Sequence, residues 1–326
     1  MSVLRGALLV TALIAFAAIG ARQTSASHGV RNGRIVYSHL GAGANRSQIF
    51  TTTSAGKQRR RLTDSRRYSS LSPSYSLTGQ QIVFVRALNQ SDLWTMNADG
   101  SRQRRLTATP TVDEIDPSWS PNGRYVAFSV ESPLDMQGIW IIRRDGRRLQ
   151  QLTSAHDLDP AWSPDGDQIA FERSSDSPAG PVDQLYVVPA LGGAPTDLTD
   201  DPSISDLQPA WSPDGSRILF STAPSDGFQL DLWTMKPDGS GRRPVTKTPS
   251  LDEHDPAWAP DGRRIVYVAE ASGSGAASYQ LYVSRPNGAK RRIVTHARGD
   301  AAIINDEPSW QPLWGTTTAT ASARRR

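Results

Sequence analysis

The sequence contains 326 residues, of which 21% are charged and 37% hydrophobic, and its formal net charge is +4. A chain of this length and composition buries a sizeable core, which excludes an intrinsically disordered protein. It contains no cysteine, so disulfides, thiolate metal sites and a cysteine nucleophile are excluded. The small positive charge is spread along the whole chain, and on that ground we expect no nucleic-acid partner.

Residues 1–26 have the features of a secretory signal peptide. Arg5 supplies a positive charge, residues 7–20 form an apolar run, and small residues at 24–26 offer a cleavage site. The run is shorter than the ~20 residues that a membrane span needs, which favours a signal peptide over an uncleaved anchor. We therefore expect an exported protein, periplasmic or extracellular, that meets a membrane only peripherally or through such an anchor.

From residue 33 onward the chain repeats one unit. Its most regular part is an aromatic residue followed by Ser-Pro-Asp-Gly or a close variant, and Asp-Pro precedes three of the six copies. The aromatic residues of the six copies are Tyr75, Trp119, Trp162, Trp211, Trp258 and Trp310. Self-similarity at this spacing indicates a repeat architecture. Short β-branched and aromatic runs follow in each unit, and they are separated by Asp-Gly or Asn-Gly pairs that suit tight hairpin turns.

Four such runs in each unit predict an all-β fold, a six-bladed β-propeller of four-stranded antiparallel blades with the motif tryptophans packed between blades. The first unit lacks its first strand, whereas the last copy, at residues 308–313, is a first strand with nothing after it. We expect this C-terminal strand to complete the N-terminal blade and close the ring, which removes exposed sheet edges. The predicted organisation is a signal peptide (1–26), a propeller (33–314) and a disordered tail (315–326).

Three repeated features resemble the TolB-type propeller family, a WD40-like repeat family. They are the aromatic-Ser-Pro-Asp-Gly motif, the Leu-(Trp/Tyr) pair of the third strand and the closing Leu-Thr pair. The resemblance covers about residues 33–314 and does not include the α/β domain that precedes the propeller in TolB. It implies the fold rather than an activity, because such propellers serve in binding proteins, in peptidases and in some lyases.

The residue before each motif proline marks a candidate binding site. The innermost strand of a blade runs along the central channel, and this residue stands at the predicted start of that strand. We expect an acidic channel mouth formed by Asp116, Asp159, Gln208, Asp255 and Glu307, with Ser72 as the sixth equivalent. Further acids precede these positions: Asp113, Glu114, Asp157, Asp206, Asp252, Glu253 and Asp306. Two interpretations stay open: turn residues that accept local backbone N–H groups, which is favoured, and a mouth that binds a cation or a basic peptide segment.

Two histidines near this mouth are the candidate metal ligands. His156 and His254 precede Asp159 and Asp255 in equivalent connections of two units. Imidazole beside carboxylate can ligate a divalent cation, so these four residues are the metal candidates. Solvent-exposed histidines without such a role are the commoner case, and we expect no other cofactor.

Basic residues precede the closing Leu-Thr pair in most units, among them residues 59–61, 104–105 and 290–292. Positive charge on an outer strand prevents strand addition between molecules, which is the favoured interpretation. The alternative is a basic outer rim that contacts an anionic envelope polymer or a lipid surface. Four loops of differing length, at 174–183, 223–229, 271–279 and 298–305, are expected around the channel mouth and offer further binding positions.

The sequence offers little support for an enzyme. It contains no Gly-x-Ser-x-Gly motif and no glycine-rich phosphate loop followed by lysine. We predict an exported, monomeric, non-enzymatic binding module that engages a protein or an envelope component through the acidic mouth and the loops. The alternative is a metal-dependent polysaccharide lyase or hydrolase on the same fold.

Overall fold

The structure is a computed structural model that describes residues 29–132, 136–177, 180–224, 229–271, 279–296 and 304–314. These residues form twenty-four β-strands. A helix long and apolar enough to cross a membrane does not occur among them. The predicted signal peptide (1–26) and tail (315–326) lie outside the described residues.

Six four-stranded antiparallel sheets form the blades, as the sequence predicts. Blade I contains β1 (Val30–Leu40), β2 (Gln48–Thr52), β3 (Arg60–Arg61) and the last strand of the chain, β24 (Ile304–Trp314). Blade II contains β4 (Ser69–Tyr75), β5 (Gln81–Ala87), β6 (Ser91–Asn97) and β7 (Arg104–Arg105). Blade III contains β8 (Asp113–Trp119), β9 (Tyr125–Glu131), β10 (Gly138–Arg143) and β11 (Gln150–Gln151).

The remaining blades repeat the same order of strands. Blade IV contains β12 (Asp157–Trp162), β13 (Gln168–Ser177), β14 (Gly180–Pro189) and β15 (Thr196–Asp197). Blade V contains β16 (Ile204–Trp211), β17 (Ile218–Pro224), β18 (Asp231–Met235) and β19 (Arg243–Pro244). Blade VI contains β20 (Leu251–Trp258), β21 (Ile265–Ala271), β22 (Gln280–Ser284) and β23 (Arg292–Ile293). The predicted all-β, six-bladed propeller is therefore confirmed.

The C-terminal strand closes the ring. Strand β24 pairs antiparallel with β1, so that Val30 lies opposite Trp314, Ile35 opposite Trp310 and Leu40 opposite Ile304. The first and last strands of the described chain thus belong to one sheet. The predicted closure is confirmed, and β24 extends beyond residues 308–313 in both directions.

The core consists of six buried clusters, one at each contact between neighbouring blades. Trp119 belongs to a cluster that joins Val83 of blade II to Phe128 of blade III. Trp162, Trp211 and Trp258 pack in the same way against the equivalent clusters of the next three contacts. The prediction that the motif tryptophans lie between blades is confirmed.

The closing Leu-Thr pair has a structural explanation. In blade II the hydroxyl oxygen of Thr107 accepts the backbone N–H of Leu93, at 2.9 Å, in the third strand. The same contact recurs in the other blades, in the pairs Ile49–Thr63, Ile139–Thr153, Leu185–Thr199, Leu232–Thr246 and Leu281–Thr295. A buried amide without a ladder partner must be satisfied, and the threonine supplies that partner.

The turns and one loop can be compared with the sequence. In the Asp-Gly turn of blade IV, Asp165 Oδ1 accepts the Ser163 hydroxyl at 2.5 Å and the N–H of Asp167 at 3.1 Å, as expected of a turn residue. The loop expected at 174–183 is instead largely sheet, because β13 and β14 stay paired up to Ser177 and Gly180. Ladder hydrogen bonds involve only the backbone, so this hairpin continues through polar residues.

Candidate functional site

The first strands of the six blades, β24, β4, β8, β12, β16 and β20, contact one another around the ring and line the central channel. The residue before the motif proline has a left-handed backbone in every blade, with φ between 46° and 55°. These six residues, called here the channel ring, are Ser72, Asp116, Asp159, Gln208, Asp255 and Glu307. A register shift at each position marks a β-bulge. A non-glycine residue in this region costs ~1–3 kcal/mol, so the surrounding fold must hold the bulge in place.

The bulges place the channel ring differently from the sequence prediction. Asp116, for example, lies inside β8 (Asp113–Trp119) rather than at its start. The bulge admits Asp-Pro without ending the strand, so pairing continues on both sides of it. The acidic positions therefore line the wall of the channel along the first strands and do not form a mouth at the strand ends.

Side chains of the channel ring bind the bulge of the following blade. Gln208 Oε1 accepts the N–H of Asp255 at 3.0 Å, and Glu307 Oε2 accepts that of Ser72 at 2.5 Å. Glu307 also accepts the hydroxyl groups of Ser38 and Ser72, both at 2.6 Å. The expected contacts with backbone N–H groups are therefore present, but they connect neighbouring blades instead of closing a local turn.

The acids of the channel ring raise the pKa values of one another. Burial raises the pKa of Asp116 well above its usual value, and the negative charges of Asp159, Glu307 and Asp255 raise it further. Burial, followed by the charge of Glu172, has the same effect on the pKa of Asp159. The charges that act most strongly on Asp116 are all negative, so a cation or a basic group in the channel would offset them.

Glu172, on β13, is a channel residue that the sequence analysis missed. Its Oε2 atom accepts the N–H of Gln208 at 3.0 Å, and its side chain hydrogen-bonds Asp159. Burial is the main cause that raises the pKa of Glu172 to about 8. The equivalent second-strand positions of the other blades hold only Ser or Val: Ser38, Val85, Ser129, Ser221 and Val268. A position-by-position comparison of the units would have singled out this lone acid.

Blades VI and I add a second cluster beside the channel ring. His254 Nδ1 lies 3.1 Å from Asp255 Oδ2, and one ligand atom from each of His254, Asp255 and Asp306 fits within 4.8 Å of the others. The four remaining blades have aliphatic residues at the position of His254 and Asp306, namely Leu71, Ile115, Leu158 and Leu207. Blades VI and I are therefore the two blades with a polar residue at this position of the first strand.

The protonation states in this cluster are set by its own members. Burial lowers the pKa of His254, but the hydrogen bond and charge of Asp255 outweigh it and raise the pKa on balance. Burial raises the pKa of Asp255, but the hydrogen bond and charge of His254 help to lower it on balance. Burial and the neighbouring Asp255 raise the pKa of Asp306 to about 10. The cluster therefore combines a histidine of raised pKa, an aspartate of lowered pKa and a second aspartate that stays neutral at neutral pH.

The other predicted metal candidates lie elsewhere. The side chain of His156 is 48% exposed, and its Nε2 atom is 4.0 Å from Glu131 Oε1. Asp159 interacts with Glu172 instead. Among the described residues, the three-residue group with metal-ligand spacing contains His254 and Asp255 but neither His156 nor Asp159. The binding of a metal itself stays a prediction.

Most of the upstream acids do not face the channel. Glu114, Asp157, Asp206 and Glu253 are buried, with at most 1% of each residue exposed. Three of them pair with arginines, in the pairs Asp157–Arg173 at 2.6 Å, Asp206–Arg242 at 2.8 Å and Glu253–Arg291 at 3.1 Å. Glu114 accepts the Thr107 hydroxyl of the preceding blade. These acids stabilise the packing of the blades, and the expectation that they enlarge an acidic mouth is wrong for them.

The basic residues lie at the outer rim, as the sequence indicates. The outermost strands β3 (Arg60–Arg61) and β7 (Arg104–Arg105) consist of exposed arginines. Some of this charge is neutralised nearby, because Arg105 lies 2.6 Å from Asp92. The contact of this rim with an anionic polymer or a lipid surface stays a prediction.

Fold and site together define the class of this protein: a closed six-bladed propeller around an acid-lined channel. The family model of the TolB beta propeller domain matches residues 22–314. The chain belongs to the TolB β-propeller family. A comparison with curated proteins finds no match.

Solved structures with the same fold have low sequence identity to this chain. TolB from Acinetobacter baumannii is 22% identical with a TM-score of 0.70, and the match covers 86% of this chain and 66% of that one. Putative TolB from Agrobacterium tumefaciens is 17% identical with a TM-score of 0.66, over 86% and 99% of the two chains. Oligogalacturonate lyase from Vibrio parahaemolyticus is 13% identical with a TM-score of 0.52, over 82% and 75%. At these identities the similarity shows the fold alone.

Proposed function

We propose that the protein is an exported, non-enzymatic binding module that accepts a basic segment of a protein or peptide partner in its acid-lined channel. The observation that carries the proposal is the channel ring, in which Asp116, Asp159 and Glu307 all have raised pKa values. Lys ammonium or Arg guanidinium groups would offset this charge. Membership of the TolB propeller family supports the assignment to a binding class.

A basic occupant would compete with protons for the same carboxylates. Without it, the raised pKa values of Glu172 and Asp306 keep these acids largely neutral at pH 7. A cation stabilises the ionised form, so its binding expels protons from the channel. Charge complementarity of this kind also directs the approach of the partner, in a manner that salt weakens.

The proposal is tested with the triple variant Asp116→Asn, Asp159→Asn and Asp255→Asn. Asparagine tolerates a left-handed backbone, so we expect the fold to survive. Binding of a fluorescent Lys/Arg-rich peptide should weaken by about tenfold or more, equivalent to ~1.4 kcal/mol. The binding of this peptide to the wild type should also weaken as salt rises.

The matched control is Asp165→Asn, which removes a carboxylate from a hairpin turn outside the channel ring. It should bind the basic peptide as the wild type does. If the affinity for the basic peptide is the same in the triple variant as in the wild type and does not change with salt, the partner surface lies away from the channel.

The second candidate is a metal-dependent lyase or hydrolase, favoured by the cluster of His254, Asp255 and Asp306. These residues would hold a divalent cation, which acts as a Lewis acid on a bound oxygen when present. The binding module is preferred because most blades contribute an acidic residue to the channel wall, whereas only two blades contribute residues to this cluster. Chelator-sensitive turnover of oligogalacturonate, lost in His254→Ala but kept in Asp116→Asn, would decide for the enzyme.

Export belongs to the same proposal and rests on the pattern of residues 1–26. We expect the mature chain to begin near Ser27. Sequencing the N-terminus of the protein recovered outside the cytoplasmic membrane checks this expectation. Recovery of the intact chain from Met1 in the cytosol would contradict it.

A further inference from the structure

Each blade carries one aromatic residue in its third strand, opposite an aromatic residue of the second. The third-strand residues are Phe50, Trp94, Trp140, Tyr186, Trp233 and Tyr282. An arginine guanidinium covers four of them, in the pairs Arg59–Phe50 (4.2 Å to the ring centroid), Arg86–Trp94 (4.0 Å), Arg173–Tyr186 (4.7 Å) and Arg291–Tyr282 (5.7 Å). Trp140 instead packs with Met136 and donates its indole N–H to the Met136 carbonyl at 2.9 Å.

Trp233 differs from the other five third-strand aromatic residues in its surroundings. The arginine of its blade, Arg242, lies over Phe220 at 5.3 Å and pairs with the buried Asp206. The fourth-strand residue opposite Trp233 is Pro244, which cannot cover the ring with charge. The indole packs against the core cluster of blade V on one side. Elsewhere it lines a cavity of about 320 Å³, and no arginine of the described residues lies over its ring as one does in four other blades.

The cavity around Trp233 combines an aromatic surface with polar groups. Pro224 and Pro249 form its apolar sides, and Gln229, Asp231 and Lys247 add polar atoms. Gln229 and Asp231 already bond the backbone of Thr248, at 2.7 Å and 3.2 Å, which fixes their positions. Their remaining oxygen atoms and the exposed Lys247 ammonium group are available to a ligand.

A second cavity of about 440 Å³ adjoins the first, and the two share Lys247 and Thr248. It extends across to blade VI and is lined there by Lys290 and Arg291. Arg291 is held by Glu253 and by the Thr248 hydroxyl at 2.9 Å. Because Arg291 is already paired, Lys247 and Lys290 provide the positive charge that a ligand in these cavities would meet. The two cavities together are called here the blade V–VI groove.

We propose that the blade V–VI groove binds an acidic saccharide. A pyranose ring would stack its C–H face on Trp233, because indole presents a large apolar surface with a negative face. The hydroxyl groups would bond to Gln229 and Asp231, and the uronate carboxyl of the next sugar would meet Lys247 and Lys290. A proline-rich peptide would use the aromatic surface but not the lysines, and a simple polyanion would use only the lysines.

The test measures the binding of alginate oligosaccharides to the full chain by calorimetry at low salt. The variants Trp233→Ala and Lys247→Gln with Lys290→Gln should each weaken binding by about tenfold, equivalent to ~1.4 kcal/mol. The matched control is Trp94→Ala, which removes the equivalent indole of blade II, where Arg86 covers the ring. It should leave binding unchanged. The lysine variant alters only exposed side chains, so it keeps the test valid if Trp233→Ala unfolds.

Two further ligands separate the alternatives. Neutral maltooligosaccharides should bind more weakly than alginate, and polyglutamate, which has charge but no sugar rings, should bind weakly and independently of Trp233. Equal binding of polyglutamate and alginate would overturn the proposal in favour of a general cationic surface. Alginate binding that survives all three substitutions at Trp233, Lys247 and Lys290 would also overturn it, as would preferential binding of a proline-rich peptide.

Discussion

The residue before each motif proline connects the fold to the channel. Its left-handed backbone is unfavourable for Glu307 and Gln208, and it is tolerated better by Asp116, Asp159 and Asp255. Hydrogen bonds to the next blade, such as Gln208 to the N–H of Asp255, offset part of that cost. The same geometry brings carboxylates together along the channel. The bulges that join neighbouring blades therefore also place the channel carboxylates close enough to repel one another.

Glu172 provides a test of this electrostatic cost. Its pKa in the folded protein is about 8, against an ordinary value of 4.5. Between these pH values the unfolded chain ionises this group while the folded protein keeps it neutral, so its contribution to stability falls as pH rises and levels off above about pH 8. Glu172→Gln should remove this part of the fall, because glutamine does not ionise. Thermal unfolding at pH 4 to pH 9 measures it.

The control for this prediction is Asp64→Asn, which changes an exposed carboxyl outside the channel. Its stability should follow the wild-type dependence on pH. Identical profiles for Glu172→Gln and the wild type would show that Glu172 is not a buried, neutral acid.

At the scale of the residue, the sequence predicted which positions matter and not how they are arranged. Asp159 and Asp255 could be selected because the motif repeats. The bulge around them could not, because a proline in a strand reads as a strand start or an edge. A comparison of the units could single out Glu172, but it could not show which residues Glu172 contacts. The contacts of Glu172 with Gln208 and of Asp306 with Asp255 join different blades, whose residues are distant in sequence.

At the scale of the element, neighbouring blades are joined through the motif aromatics. Trp119 is 6% exposed and contacts both blade II and blade III. Replacing it by alanine should cost ~3–5 kcal/mol of unfolding free energy, as truncation of a large buried aromatic does. Chemical denaturation measures this loss. The control Leu191→Ala removes a residue that is 94% exposed and should change stability by less than ~0.5 kcal/mol.

Strand β24 is the element on which closure depends. Deleting residues 307–326 removes most of it and leaves β1 with an unpaired edge, so the melting temperature should fall substantially. Deleting residues 316–326 alone should have little effect, because that sequence has no strand pattern. Thermal scans compare the two truncations. Equal melting temperatures would show that β24 is not needed for closure.

The elements themselves were predictable because each unit repeats its own pattern. Strand positions and closing strand follow from counting motifs, and the structure agrees with them. The hairpin of β13 and β14 was missed because its outer part is rich in Ser, Asp, Gly and Pro residues. Those residues resemble a loop in composition, although backbone pairing continues through them.

At the scale of the molecule, the acid-lined channel links binding to pH. A basic peptide that enters it must displace protons from acids such as Glu172, whose pKa is about 8. Affinity for the Lys/Arg-rich peptide should therefore rise between pH 6 and pH 9, since ionised carboxylates become more abundant. Calorimetry in buffers of different ionisation enthalpy measures the protons released. An affinity that is constant over this range would contradict the proton-linked occupant.

The pairing of β1 with β24 also governs the order in which the molecule assembles. Arg34 and Gln311, which are joined by a hydrogen bond in this sheet, are 277 positions apart in the chain. Contacts over such distances form late, because the entropy of closing the long intervening loop opposes them. Blades II to VI are each built from consecutive strands, so they can form as local hairpins before the last strand is in place. Blade I forms last, and the edge of β1 stays open to other chains until β24 pairs with it.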